Sequence, residues 1–167
     1  MITLFIGRFQ PFHLGHLQDI RFASIFSDKI KVGIGSSNEE NTIDNPFSFI
    51  ERKEMIENTV RKEISDLNYD ILSIPDIHDD TLWIKHVQNI VGEFDILFTG
   101  NPKVKELALE KEINVRDVTL FRGISGNQIR KSILKGRNWQ EYVPSEVSSF
   151  IKKIEGVNRI KKINGSI

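Results

Sequence analysis

Cysteine is absent from this chain of 167 residues, which excludes disulfide bonds, thiolate catalysis and cysteine-based zinc or iron–sulfur sites, and suits a reducing compartment. Long hydrophobic runs are absent as well. No apolar stretch approaches the roughly 18 residues of a membrane span, and the N-terminus has no charged region leading into an apolar segment and a small-residue cleavage site. A cytoplasmic protein is expected. Neither sign of charge is in excess: Lys plus Arg and Asp plus Glu number 23 each. A net charge of zero argues against coating nucleic acid or anionic membrane, partners normally met with a large positive excess. Internal repeats, low-complexity tracts and linkers that would split the chain are missing too. Trp and Tyr occur twice each against 11 Phe, in a composition of 39% hydrophobic and 28% charged residues that is ordinary for a soluble globular protein.

A single domain over residues 1–167 is expected, long enough to bury about two thirds of the surface of its unfolded chain. Short apolar runs at 2–6, 31–35, 70–75 and 95–99 read as strands covered on both faces. Residues 114–120 make a weaker strand, interrupted by Arg116 and Asp117, and belong at a sheet edge. Helices fall between them. Residues 14–26 place Leu14, Leu17, Ile20, Ala23 and Phe26 at helical spacing, and Ser27-Asp28 looks like a stop.

Ser48 stands three residues before Glu51, a capping-box spacing, ahead of a helix with apolar positions 50, 55, 56, 60 and 64. Asp79 or Asp80 caps a helix running to about Val91, while Asn101 followed by Pro102 opens another. Ser125 and Gln128 repeat the capping-box spacing, and Gly136 ends the helix that carries Ile129, Ile133 and Leu134. From Pro144 a capped amphipathic helix runs to Gly156, which closes it. The basic residues Lys152, Lys153, Arg159, Lys161 and Lys162 read as a solvated helix face or part of a subunit contact. Strands alternating with helices predict a Rossmann-like, doubly wound parallel sheet, three layers α/β/α, with further helices at the C-terminal end. Such sheets bind ligands beyond the carboxyl ends of their strands, which directs attention to residues 7–16, 35–46, 75–83, 99–102 and 121–130.

The first of these is the most telling. Two of only four histidines, His13 and His16, flank Gly15 where a buried strand gives way to a helix, in "IGRFQPFHLGH". Unpaired N–H groups and the helix dipole favour an anion there, the imidazoles add directed donors, and Gly15 clears the approach of a phosphate to the backbone. Each histidine titrates near 6.5 when unperturbed, so a polyanion is expected to favour the protonated, doubly donating form. The residues alone leave two other readings open: polar side chains hydrogen-bonded to a loop, or a metal site that would need a third ligand from elsewhere.

"GRFQPFHLGH" resembles the H-x-G-H signature of the nucleotidyltransferase superfamily, and its "GRFQPFH" form is similar to the archaeal-type nicotinamide mononucleotide (NMN) adenylyltransferases. Further matches follow in order: "IGSS", "NPFSFIERKEMI", "IPDIHDDTLW", "FTGNP", "ISGNQIR" (similar to S-x-T-x-x-R), "VPSEV" and "IEGVNRIKK". The resemblance spans essentially the whole chain. It implies adenylyl transfer from ATP to NMN, giving NAD and pyrophosphate by direct attack on the α-phosphorus without a covalent intermediate.

On that resemblance His13, His16 and Arg130 are the catalytic residues, contacting the ATP phosphates and stabilising the charge that grows on the reacting phosphate and departing pyrophosphate. Gly7, Arg8, Phe9 and Gly15 would lie along ATP at the first strand end, with Phe9 packing near the nucleotide or under the loop. The planar fork of Arg8 suits phosphate oxygens, against the alternative of a surface arginine paired with an acid. Ser125, Asn127 and the N–H groups that open their helix would bind the outer phosphates, and Gly100 and Asn101 would lie by the adenine or its ribose. Helix capping is Asn101's other role. Trp83 would stack on nicotinamide unless it is simply core, and Asp80 with the backbone around Ile77 would serve the carboxamide or ribose.

Two positions depart from the family pattern. Asn127 stands where the family has Thr, so an amide replaces a hydroxyl. Ile43, Asp44 and Asn45 occupy a region where some archaeal relatives place Arg, which argues against a catalytic contribution from that loop and leaves its role open; Arg52, on the next helix, could face the site but is not assigned to it. Mg²⁺ is expected to arrive with ATP, without dedicated protein ligands. The resemblance favours a homo-oligomer, often a hexamer. The rival readings are a nucleotidyltransferase with another acceptor (FMN, a pantetheine phosphate, or choline or glycerol phosphate), a non-catalytic pyridine-nucleotide sensor, and a class I aminoacyl-tRNA synthetase fragment, which the lack of room for an anticodon domain disfavours.

Overall fold

A run such as Ile2–Gly7 is apolar on both sides of its pleat, so it needs a layer above and a layer below, and it becomes the centre of a sheet. In the computed structural model, which describes residues 1–77, 79–118 and 123–165, this strand is β1. The order of elements after it is α1 (Leu14–Ser24), β2 (Lys29–Ile34), α2 (Phe49–Glu63), β3 (Tyr69–Ser73), α3 (Asp80–Val91), β4 (Ile96–Thr99) and α4 (Pro102–Leu109). Then come β5 (Val115–Asp117), α5 (Gly126–Leu134), a 3-10 turn at Gln140–Tyr142, α6 (Ser145–Lys153) and α7 (Gly156–Ile163). The five strands are parallel in the order β3-β2-β1-β4-β5.

Alternation along the strands sends side chains to two separate apolar layers. Leu4, Ile6, Ile74 and Leu97 pack with Ile84, Val87 and Val91 of α3 and with Val104 and Leu107 of α4. Phe5, Val32 and Phe98 point the other way, against Leu17 and Ile20 of α1, Met55 and Ile56 of α2, and the faces of α5, α6 and α7. This is the expected three-layer arrangement. From β1 the chain moves outward through β2 and β3, then returns through α3 to pair β4 on the other side of β1, so the strand order reverses between β1 and β4. A crevice opens at that switch point, beyond the strands' carboxyl ends.

Most caps lie where the spacing predicts. Ser48 and Glu51 complete a reciprocal capping box, with Glu51 N–H donating to Ser48 Oγ (3.2 Å) and Ser48 N–H to Glu51 Oε2 (2.9 Å). Asp79, not Asp80, caps α3, and Asn101 with Pro102 opens α4. β5 sits at the sheet edge; the last two residues of its predicted span, 119 and 120, lie outside the described residues, as do 121 and 122 of the segment 121–130.

Several boundaries and faces differ. β2 begins and ends earlier than 31–35, and β3 stops at Ser73 rather than residue 75. α1 ends at Ser24, although Phe26 still packs on the core. Ile50 is 65% exposed, because the buried face of α2 is made by Arg52, Met55, Ile56, Thr59 and Val60 and Ile50 lies on the opposite side. Gly156 does not close a helix; it opens α7, while Glu155 takes the left-handed turn with φ 55°. A Cβ on Gly156 would lie 2.9 Å from the Phe47 ring, so close packing rather than termination accounts for this glycine. Arg159 is not part of a solvated face either: it makes a two-point ion pair to Glu51, at 2.6 and 2.7 Å.

Candidate active site at the switch point

The crevice is a cavity of about 680 Å³, within the usual range for small-ligand sites. Its walls bring together Gly7, Arg8 and Phe9 from the β1 exit with His13 and His16 of α1. Gly100 and Asn101 come from the β4 exit, Ser125, Asn127 and Arg130 from α5, and Ile77, Asp80 and Trp83 from the start of α3. Gly15 is the exception. It is buried inside the first turn of α1 and does not line the wall, so it does not open a path to the backbone. A glycine is needed instead at Gly126, where a Cβ would come within 2.7 Å of the Gln10 carbonyl, so that the start of α5 can pack against the loop after β1.

His13 is the N-cap of α1 and His16 occupies the third helical position, and the pair forms a capping box out of two imidazoles. The His13 N–H donates to His16 Nδ1 (3.2 Å) and the His16 N–H to His13 Nδ1 (3.4 Å), while the rings stack with centroids 3.5 Å apart. Both Nδ1 atoms are therefore acceptors. Each neutral ring carries its proton on Nε2, which is left as its one donor. The rings are also desolvated: Phe9 (4.7 Å), Phe12 (5.4 Å) and Phe5 (6.0 Å) surround His16. Burial lowers His13 to about 4, and burial together with the neighbouring His13 holds His16 well below its usual value. The doubly protonated form expected from the sequence is thus disfavoured in this structure, because protonation would both charge a buried ring and forfeit a cap. Phe9 is 1% exposed with φ 52°, and its ring serves as a wall for His16.

Arg130 is 6% exposed and is aimed by two partners, the Gln10 carbonyl (Nη1, 2.8 Å) and the Asp44 carboxylate (Nη2, 3.3 Å). Its pKa is lowered by burial and then by the charge of Arg8, with Asp44 opposing. Gln10 in turn clamps the Phe47 backbone, donating through Nε2 to its carbonyl (2.8 Å) and accepting its N–H on Oε1 (3.0 Å). Ser125 caps α5 by accepting from Gln128 N–H, and Asn127 is exposed in the first turn. Arg8 is exposed and makes no ion pair among the described residues, so the paired-surface reading does not describe it.

The other wall is looser. Trp83 is half-buried, packed against the Leu4–Ile6 layer while its exposed part lines the cavity; Ile84 is core and Leu82 is 53% exposed. Asp80 faces solvent and pairs with Lys103 at 3.6 Å. Asn101 accepts from Lys103 N–H (3.0 Å), its capping role, and a Cβ on Gly100 would meet Val118 at 2.6 Å. Among the described residues no group of three or more His, Asp or Glu is placed to hold a metal ion, and no helix is long and apolar enough to cross a membrane.

Gln10, Phe12 and Asp44 are the wall and support residues that pattern reading missed. Gln10 offered one signal, an uncharged polar side chain inside an otherwise apolar motif. Asp44 offered none, since its contact with Arg130 joins positions 86 residues apart.

Comparison with known proteins agrees with this geometry. Residues 4–151 match the cytidylyltransferase-like family. The chain is 38% identical over 161 residues to a curated nicotinamide-nucleotide adenylyltransferase of Thermoplasma volcanium, covering 95% of this chain and 90% of that protein. It is 40% identical over 166 residues to the Methanococcus maripaludis enzyme of the same name, covering 98% and 96%. Among solved structures, a bifunctional NMN adenylyltransferase/ADP ribose pyrophosphatase of Francisella tularensis, complexed with AMP and a manganese ion, superimposes with a TM-score of 0.76 at 25% identity. That match covers 97% of this chain and 51% of the other, so the chain spans about half of the bifunctional protein. A Plasmodium falciparum nicotinic acid mononucleotide adenylyltransferase shares the fold, with a TM-score of 0.66 at 13% identity over 94% of this chain and 96% of that one.

Proposed function

The chain belongs to the cytidylyltransferase-like family, and from that premise we propose that it transfers the adenylyl group of ATP to NMN, giving NAD and pyrophosphate. One observation carries the reading: two Nε2–H imidazoles and a buried, aimed guanidinium line the same cavity as a half-exposed tryptophan. The first three groups suit developing phosphate charge, and the last suits a flat cationic ring. The reading takes residues 1–167 as one nucleotidyltransferase domain.

A phosphate oxygen of NMN, already anionic at neutral pH, attacks the α-phosphorus of ATP, and the bond to the bridging oxygen of pyrophosphate breaks. Neither a protein nucleophile nor a general base is required. The residues align the two phosphates and stabilise charge. His13 and His16 donate through Nε2 to oxygens that become more negative in the transition state, and they do so without needing to be cations. Arg130, Arg8 and the α5 N-terminus with Ser125 and Asn127 hold the outer phosphates. Trp83, with Asp80 and the Ile77 backbone beside it, receives the nicotinamide nucleotide, and Gly100 and Asn101 flank the adenosine. A divalent ion such as Mg²⁺ would arrive bound to the ATP phosphates and would supply charge neutralisation there, with no protein ligand assigned to it.

Turnover of ATP with NMN, FMN and phosphopantetheine tests the acceptor. NAD formation is expected to be fastest by far; a faster product with another acceptor would overturn the NMN assignment, and NAD binding without any turnover would favour the sensor. A cytoplasmic homo-oligomer, with six copies as the family resemblance suggests, completes the proposal. Light scattering at a multiple of the 19.2 kDa chain mass supports it, and a monomer contradicts it.

A further inference from the structure

Arg52 is the largest fully buried side chain among the described residues, 0% exposed, and the mechanism above does not use it. Among the described residues no carboxylate forms a hydrogen bond with it. Its donors go to four backbone carbonyls: Nη1 to Arg8 (2.9 Å) and Gly35 (2.8 Å), Nη2 to Ser36 (3.1 Å) and Nε to Ser48 (3.2 Å). Three of these belong to the loops that leave β1 and β2, and Arg8, Gly35 and Ser36 all line the cavity. The guanidinium thus sits beneath the floor of the site and ties two of its loops to the N-terminus of α2.

Burying an unpaired charge is expensive unless something nearby gains from it. Burial, and then the charge of Arg8, push Arg52 down to about 10, which still leaves it a cation at neutral pH; Asp76, Glu39 and Glu40 favour its charge only from a distance. Two consequences follow for an anion in the cavity. The positive charge is not cancelled by a bonded acid, so its field reaches across a desolvated wall. The carbonyls that accept from Arg52 are also turned away from any phosphate, and in a trans peptide the adjoining N–H groups of Phe9 and Ser36 point the opposite way.

We propose that Arg52 is a positioning residue for the triphosphate: without touching the ligand, it turns the β1 and β2 exit loops so that they present no carbonyl to phosphate oxygen, and it adds a fixed positive charge beneath them. This rests on reading the cavity as an ATP site. It does not depend on which nucleotide accepts the adenylyl group.

Calorimetric binding of MgATP and of adenosine to the wild type, Arg52→Gln and Arg52→Lys tests it, with circular dichroism to verify folding. A structural role alone would weaken both ligands together. The expected result for Arg52→Gln is an ATP affinity lower by about tenfold or more, with adenosine within about twofold and a weaker salt dependence for ATP. Arg52→Lys keeps the charge but cannot hold all four carbonyls, and should lose less, about threefold for ATP. Parallel losses of the two ligands, or unchanged ATP binding, would overturn the proposal; if Arg52→Gln does not fold, Arg52→Lys is read by the same criterion. A wild type that binds no ATP overturns the site reading and this inference together, whereas a binding wild type matched by Arg52→Gln overturns only the inference.

Discussion

The cavity has two walls of different construction. Around His13, His16 and Arg130, each functional group is held by a named partner: the imidazoles by one another's backbone N–H, the guanidinium by Gln10 and Asp44, and Gln10 by Phe47. Around Ile77, Asp80 and Trp83 the groups are half-buried or exposed, and among the described residues Asp80 pairs with the exposed Lys103. The difference follows from what each wall does in the proposed reaction. Charge develops at the first, where donors fixed beforehand cost no reorganisation as the reaction proceeds; the second recognises a ground-state ring and can complete its fit on binding.

Changes in the fixed wall should therefore act on turnover, and changes in the open wall on affinity. The largest effect is expected from His16→Ala, which removes an Nε2 donor and half of the cap: kcat should fall by about 100-fold or more, with KM for NMN changed by only a few-fold. Unchanged turnover would break the contrast at its strongest point. Trp83→Ala should do the reverse, raising KM for NMN by about tenfold, as loss of a cation–π partner allows, while leaving kcat nearly intact.

Acid stability sharpens the comparison without substrate. His13 at about 4, and His16 also lowered, bind fewer protons folded than the usual 6.5 implies for the unfolded chain. Their contribution is present above about 6.5 and is lost as pH falls toward about 4, so the denaturation midpoint of the free protein should drop across that window. In His13→Asn, which keeps a cap acceptor, the drop should be smaller; an equal drop would show that other groups set it. The smallest effect belongs to Asp44→Asn. Neutralising the exposed acid that helps to aim Arg130 should weaken ATP binding by a few-fold at most, as measured by titration, and tighter binding would mean that Asp44 competes with phosphate for Arg130 rather than aiming it.

Periodicity carried most of the fold. The apolar runs became parallel strands, and Ser48, Asn101 and Ser125 became N-caps, because caps and strand faces are decided within a few residues. The wall residues around His13 and His16 came from a motif in one short stretch, and Trp83, Asn101 and Arg130 reached the same cavity because the switch point gathers strand ends. What escaped depends on distant packing. Ile50 lies outside because the α2 face is rotated toward Arg52 and Met55, and position 156 is glycine because Phe47, far off in sequence, leaves no room for a side chain, not because a helix ends there. Spacing showed two histidines but not that each accepts the other's N–H, a geometry that favours the neutral rings in the free protein.

A crystal structure with NAD bound would test the central claim most directly. The account predicts the NAD pyrophosphate against Nε2 of His13 or His16 and the Arg130 guanidinium, with the nicotinamide ring over Trp83. NAD bound outside this cavity, or inside it with nicotinamide and adenine exchanged, would contradict it.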